Sequence, residues 1–259
     1  MMVIKVAVAG PRGRMGREAI DTILKNPEFR LVSVLDSKKD LVYLGESISV
    51  FTSLKELIEQ TEPDVLVDLT VPSSVFDHAM TALEYGVRPV IGTTGFTELQ
   101  LDEISNKVKE KKVGCIIAPN FSIGAVLMMK FAQTAAKYLP NVEIIEMHHD
   151  QKVDAPSGTA MKTVQMIQAV RENVEQGHPE EEEIVEGARG ANIEGLHIHS
   201  VRLPGLVAHQ QVLLGGEGQL LTLRHDSFNR SSFMSGIVLS INEIMKRNTL
   251  IYGLEDIIL

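Results

Sequence analysis

Residues 148–160 read HHDQKVDAPSGTA and pack two histidines, a lysine, two aspartates and a Ser-Gly-Thr turn into thirteen positions. Histidine changes protonation near neutral pH and can hand a proton to a reacting group. Lys152 adds a mobile positive charge. Pro156 followed by Ser157 as N-cap predicts the start of a helix. The N–H groups of Gly158 and Thr159 would then lie at its positive end, where a carboxylate or phosphate binds readily. The stretch reads as an anion-binding pocket with a proton donor. The preceding VEIIEMHHD is strand-like, so His148 and His149 point to opposite faces and have different jobs, unless the strand ends between them. No metal is expected: His148, His149 and Asp150 lack a third ligand at zinc-like spacing. His197 and His199, in LHIHS, read as surface or inter-subunit packing before chelation. A hydrolase built on Ser157 lacks the nucleophile elbow.

A second constellation sits near the start. VAVAGPRGRMGREA places Gly10, Gly13 and Gly16 between a strand and a helix. The spacing is a variant of the dinucleotide fingerprint with the same physical demand: a tight turn, backbone N–H groups close to a pyrophosphate, and a helix packed on the sheet. Asp36 ends the next strand and suits a ribose hydroxyl pair, which favours NADH. Arg12, Arg14, Lys38 and Lys39 are placed to pair with a 2′-phosphate, which favours NADPH, although the lysines read equally well as a solvated loop. NADPH and NADH both stay open. Two further loops, GTTG (Gly92, Thr93, Thr94, Gly95) and APNF (Ala118, Pro119, Asn120, Phe121), follow strands at the carboxyl edge, where ligands of open α/β sheets sit, and read as walls for ribose and nicotinamide. Beside a nicotinamide, the histidine-rich stretch spells reduction of a carboxylated substrate by hydride plus proton.

The elements that must hold these groups follow from pattern. Through residue 120, short apolar runs such as VIKVAVAG, DVLVDLT and VGCIIAPN alternate with helical segments. Runs apolar on both faces belong to a parallel sheet covered on each side. A Rossmann-like, doubly wound α/β sheet is predicted. After Asn120 come a long helix (GAVLMMKFAQTAAKYL), the histidine-bearing strand, a helix over TAMKTVQMIQAVRENV, an acidic run, and three strand-like segments parted by Gly and Pro. That block predicts a second α+β domain with a more antiparallel sheet, before a last helix in SFMSGIVLSINEIMKRN. The chain has 259 residues, 44% apolar and 23% charged, as in ordinary globular proteins. A formal net charge of −9 argues against a nucleic-acid face or docking on anionic membranes. No stretch reaches the length of a membrane span. The single cysteine, Cys115, reads as a buried strand residue in a reducing cytosol. A cytoplasmic location is expected.

AGPRGRMG, GTTG, APNFSIG and above all EMHHDQKVDAPSGTA resemble the 4-hydroxy-tetrahydrodipicolinate reductase family, formerly dihydrodipicolinate reductases, over nearly the whole chain. The resemblance implies reduction of a cyclic imine dicarboxylate by NADPH or NADH on the diaminopimelate route to lysine. It also implies a dinucleotide-binding domain over 1–121, a substrate and tetramerisation domain over 122–231, a segment 232–259 returning to the first domain, and a homotetramer. By position in the motifs it makes His148 the proton donor and Lys152 the second catalytic residue. His149, Gly158 and Thr159 become substrate contacts, and Ser157, the N-cap of that helix start, is counted with them. The cofactor residues it implies are Gly10, Pro11, Arg12, Gly13, Arg14, Met15, Asp36, Gly92, Thr93, Thr94, Ala118, Pro119, Asn120 and Phe121; Lys38 joins them from its charge close to Asp36. Arg12 departs from the small residue common in that turn, and Ser37 stands where a basic residue often follows the acid. Two other readings compete: another two-domain NAD(P)-dependent reductase of amino-acid metabolism, and a non-catalytic dinucleotide sensor.

Overall fold

The computed structural model describes residues 3–40, 48–172 and 174–258. The chain divides into two compact units, one from Met1–Ser122 with Phe233–Leu259, the other Ile123–Ser232.

The first unit is built on strands β1 (Ile4–Ala9), β2 (Phe29–Leu35), β3 (Ser49–Phe51), β4 (Val65–Asp68), β5 (Arg88–Ile91), β6 (Cys115–Ile117) and β12 (Leu250–Tyr252). Among the described residues they form one sheet in the order β12-β6-β5-β4-β1-β2-β3, with every pair parallel. The order reverses at β1, and open α/β sheets bind their ligands at such a switch point. Val6, Val8, Val65, Leu66 and Val67 are fully buried, each contributing about 1.5–3 kcal/mol through apolar burial. Helix α1 (Arg14–Lys25) lays Ala19, Ile20 and Ile23 against the sheet. Helix α3 (Pro72–Glu84) starts with proline in its first turn, where the missing N–H costs nothing. Two edge strands, β3 and β12, were not foreseen. Each has three residues, too short to show a period. Helix α7 (Met234–Ile244) packs on α1, β5 and β6, so the C-terminal segment belongs to this unit.

The second unit has a sheet in the order β11-β10-β7-β9-β8, from β7 (Asn141–His148), β8 (Ala191–Ile193), β9 (Leu196–Arg202), β10 (Ala208–Gly216) and β11 (Gln219–Ser227). Three of its pairs are antiparallel, but β7 and β9 run parallel. The sheet is thus mostly antiparallel, as expected, and its one parallel pair arises because helix α6 (Gly158–Gln168) lies in the crossover between those strands. α6 also stops short of the expected span over TAMKTVQMIQAVRENV. Its C-cap is Ala169, and beyond it the Arg171 guanidinium donates to the carbonyls of Val174 and Gly195, giving the chain another partner than a further helical turn. Residue 173 of the expected helix lies outside the described residues. Val142, Ile144, Val212 and Leu214 fill one sheet face, against which α5 (Ile123–Ala136) packs through β10 and β11. Among the described residues, no helix is long and apolar enough to cross a membrane.

Candidate active site

In the first unit, the glycine turn is dictated by backbone sterics. Gly10 has φ +84°, and a Cβ there would lie 2.8 Å from the Leu69 carbonyl oxygen. A Cβ on Gly16 would overlap the Gly10 carbonyl, so the third glycine lets α1 pack against the turn. Gly13 is the N-cap of α1 and no side chain caps it, which leaves the helix start facing outward with Arg14 exposed and Met15 half-buried. A helix start of this kind suits a pyrophosphate. Pro11 is buried beneath the turn.

A cavity of about 440 Å³ joins Gly10, Arg12, Gly13 and Asp36 with Thr70 and His78. Asp36, just past β2, accepts from Arg12 Nε at 2.8 Å and from the Lys38 N–H at 3.0 Å. The same guanidinium reaches Asp40 Oδ1 at 2.6 Å and the carbonyls of Lys38 and Asp40. Arg12 beside Asp40 holds that carboxyl below its ordinary range. Lys38 and Lys39 are exposed. On the same carboxyl edge, Thr93 donates to the Thr70 carbonyl at 2.9 Å, and Thr94 is exposed. A Cβ on Gly92 would meet Phe121 and Leu69 side chains at 2.8 and 2.6 Å. Ala118 and Phe121 are buried, Pro119 is exposed, and Asn120 accepts from the Ser122 N–H through its Oδ1.

The structure adds Asp68 and His78, which the sequence reading passed over. Asp68 sits at the end of β4 inside the apolar run VLVDL, and its carboxylate is buried. It accepts from the Thr70 N–H at 2.9 Å and hydroxyl at 2.5 Å, and its second oxygen lies 2.7 Å from His78 Nδ1. An acid within a buried strand, with a histidine ten residues on, was the available signal.

In the second unit, β7 turns Glu146 and His148 to the same side, two residues apart. Glu146 is fully buried on the face that holds Val142 and Ile144. His148 Nδ1 lies 2.5 Å from Glu146 Oε2, and Arg202 donates to both carboxylate oxygens at 3.0 and 2.7 Å. The N–H of Ser157 donates to Oε1 at 3.3 Å. Burial works against the Glu146 charge, but the hydrogen bonds from His148 and Arg202 outweigh it and hold the carboxyl at about 2. Arg202 also donates to the Asp154 carbonyl, tying the loop 149–156 to β9. His149 follows the last residue of β7, is exposed, and its carbonyl accepts from the Lys152 N–H.

Lys152 is paired within its own loop. Its ammonium bonds both oxygens of Asp154, at 2.6 and 2.8 Å, because the acid stands only two residues on. Lys152 in turn keeps the Asp154 carboxyl below its ordinary range. Ser157 is the N-cap of α6, its hydroxyl accepting from the Ala160 N–H at 3.2 Å. Gly158 is exposed at that helix start, and a Cβ added to it would meet nothing within 4 Å. Thr159 is half-buried behind it. Glu146 and Arg202 were not singled out from the sequence. They are 56 positions apart, and only the parallel register that sets His148 opposite Arg202 brings them together.

His197 Nδ1 contacts the Arg189 carbonyl at 2.7 Å, and His199 Nε2 contacts Glu143 at 2.9 Å. Among the described residues, no group of three or more His, Cys, Asp or Glu is placed to hold a metal ion. Cys115 is fully buried, which pushes its thiol well above the ordinary range.

The chain matches family profiles along almost its full length: "Dihydrodipicolinate reductase, N-terminus" over residues 4–121 and "Dihydrodipicolinate reductase, C-terminus" over 124–258. A 4-hydroxy-tetrahydrodipicolinate reductase of Lysinibacillus sphaericus is 61% identical, covering 99% of this chain and 100% of the relative. That of Oceanobacillus iheyensis is 57% identical over the same shares. The structure of a dipicolinate-bound dihydrodipicolinate reductase from Paenisporosarcina sp. TG-14 superposes with TM-score 0.94 at 58% identity, covering 99% of this chain and 100% of that one. A probable dehydrogenase from Thermotoga maritima, TM-score 0.68 at 12% identity over 98% of this chain and 92% of that one, shares the fold alone. With both halves matched and a glycine turn and an EMHHDQKVDAPSGTA segment in place, the chain belongs to the dihydrodipicolinate reductase family.

Proposed function

We propose that this protein reduces 4-hydroxy-tetrahydrodipicolinate, by way of dihydrodipicolinate, to tetrahydrodipicolinate, using NADPH or NADH, in the diaminopimelate route to lysine. The observation that carries this reading is the gathering of His148, Lys152 and the α6 start at one end of the second unit's sheet, in a chain 58% identical to a reductase with dipicolinate bound. The residues present also fit a dinucleotide. An uncapped α1 start, a glycine turn that admits close approach, and Asp36 share the lining or rim of a cavity of about 440 Å³. Gly10 to Met15 and Asp36 would hold its adenosine and pyrophosphate, with Gly92, Thr93, Thr94 and Ala118 to Phe121 toward the nicotinamide. When bound, the dinucleotide supplies the hydride.

The rest of the chemistry falls to the chain's own side chains. The substrate carries two carboxylates. The N–H groups of Gly158 and Thr159, with Ser157 fixing the helix start, receive one of them. Lys152 exchanges its Asp154 partner for the substrate and adds a cation at that end. His149, exposed beside it, lends a further polar contact. One ring double bond is reduced: hydride arriving at one of its ends forms a C–H bond as the π bond opens, and His148 gives a proton to the other end, where negative charge develops, which forms the second bond to hydrogen and quenches the charge. Holding the ring in one orientation supplies much of the rate. Ile145, Met147, Val201, Leu213 and Leu220 lie on the sheet face turned away from Glu146, and their partial exposure supports a homotetramer built on that face. The proposed setting is the cytoplasm, which keeps reduced nicotinamides and free thiols.

The test is coupled turnover with the cyclic imine, run with NADPH and with NADH. Consumption of either cofactor, absent with aspartate semialdehyde alone, supports the reading. Cofactor binding without turnover would replace it with a dinucleotide sensor.

A further inference from the structure

Glu146 occupies a strand position whose neighbours in register, Val142 and Ile144, are buried aliphatics. An aliphatic side chain would satisfy that position. A buried ion pair rarely improves stability over well-packed apolar residues, because desolvation offsets the Coulomb gain. The carboxylate at this place therefore calls for a reason other than stability, and its partners supply one. An ionised carboxylate only accepts, at about four lone-pair sites. Here five donors surround it: His148 Nδ1, two Arg202 nitrogens, the Ser157 N–H and the Ser200 side chain. It cannot rotate without leaving several buried donors unpaired.

We infer that Glu146 is a positioning residue: its carboxylate holds the Nδ1 proton of His148, leaving Nε2 as the nitrogen that meets the substrate, while Arg202 clamps the carboxylate and Ser157 ties it to the start of α6. The inference rests on the reading of His148 as proton donor. A neutral imidazole has two tautomers, and only a fixed partner on one nitrogen selects between them. One oxygen of this carboxylate anchors the proton donor on β7 and the other the anion-binding helix start on α6, so one side chain sets the spacing between proton and bound carboxylate. Arg202 offsets the negative charge, so that Glu146 orients the imidazole without keeping its proton. The groups facing Glu146 are His148 from β7, Arg202 and Ser200 from β9, and Ser157 at the start of α6.

Two measurements decide it. Long-range ¹⁵N–¹H spectra of the labelled wild-type enzyme, with His148 assigned through His148→Gln, should show the neutral ring protonated at Nδ1; a ring protonated at Nε2 overturns the inference, whatever any variant does. In kinetics, Glu146→Gln should lower kcat about 10–100-fold, as expected for a misdirected acid, with the KM for NADH nearly unchanged and the alkaline limb of the kcat profile moved to lower pH. In the His148→Gln background, Glu146→Gln should cost less than about 2-fold more, because the two act as a unit. Full additivity would show a merely structural carboxylate. If His148→Gln alone keeps normal turnover, the proton-donor reading fails, and the spectra still report on Glu146.

Discussion

Each unit carries a buried acid bonded to a histidine Nδ1: Asp68 to His78 at 2.7 Å, and Glu146 to His148 at 2.5 Å. The two pairs differ in what else the acid holds. Asp68 receives the Thr70 N–H and hydroxyl, both neutral, and its histidine stands on a different element, α3. That arrangement is a strut joining β4 to α3 at the wall of the cavity lined by Gly10 and Asp36. Glu146 receives a bidentate arginine, and its histidine is on the same strand, at the strand end and, like His78, mostly buried. With its charge already balanced, Glu146 is free to orient rather than to retain. The same motif thus does two jobs, set by the charge of the remaining donors.

The sharpest way to break this contrast is to remove both histidines in turn. His148→Gln should lower kcat by about 10²–10⁴-fold and raise the KM for the imine little, as for a lost general acid. His78→Gln should leave kcat within a few-fold but cost about 1–3 kcal/mol of stability through the buried Asp68 oxygen that loses its histidine, read from thermal or urea unfolding. Equal losses of turnover in the two variants would abolish the distinction. A smaller effect is expected at Arg12, shared between Asp36 and Asp40. Asp40→Asn should free the guanidinium for a 2′-phosphate and raise the NADPH-to-NADH ratio of kcat/KM about 3–10-fold, while Arg12→Ala should lower it. The smallest effect concerns acid. The Glu146 carboxyl titrates at about 2 in the folded chain against 4.5 ordinarily, so its charge stabilises the fold above pH 4.5 and that contribution fades as pH falls toward 2. The stability gap between wild type and Glu146→Gln, followed by melting temperature from pH 6 to 3, should narrow across that window.

Much of the first unit was legible in the chain. Val6, Val8, Leu66 and Ile116 lie in runs apolar on both faces, which a covered parallel sheet requires, and the sheet has that form. Gly10 and Gly16 stood out because a left-handed turn and a helix touching backbone admit nothing larger. The three-residue edges β3 and β12 were not legible, since they join the sheet only by adding to strands already formed. In the second unit, Ser157 at the head of α6 followed from local capping chemistry. The Lys152–Asp154 pair was equally local, yet sequence spacing alone does not say whether a lysine reaches a neighbouring acid or solvent.

What the sequence determined unaided is therefore the chemistry that operates within a turn or two: the glycine loop, the helix starts, the strand and helix rhythm, and the close grouping of His148, Lys152 and Ser157. Within that range, distance along the chain nearly equals distance in space. Tertiary structure alone decided which acids and cations meet: Arg12 with Asp36, His78 with Asp68, and Arg202 with Glu146 across 56 positions. Those meetings depend on strand order and register, and register follows from how all the buried faces pack together, not from any single segment.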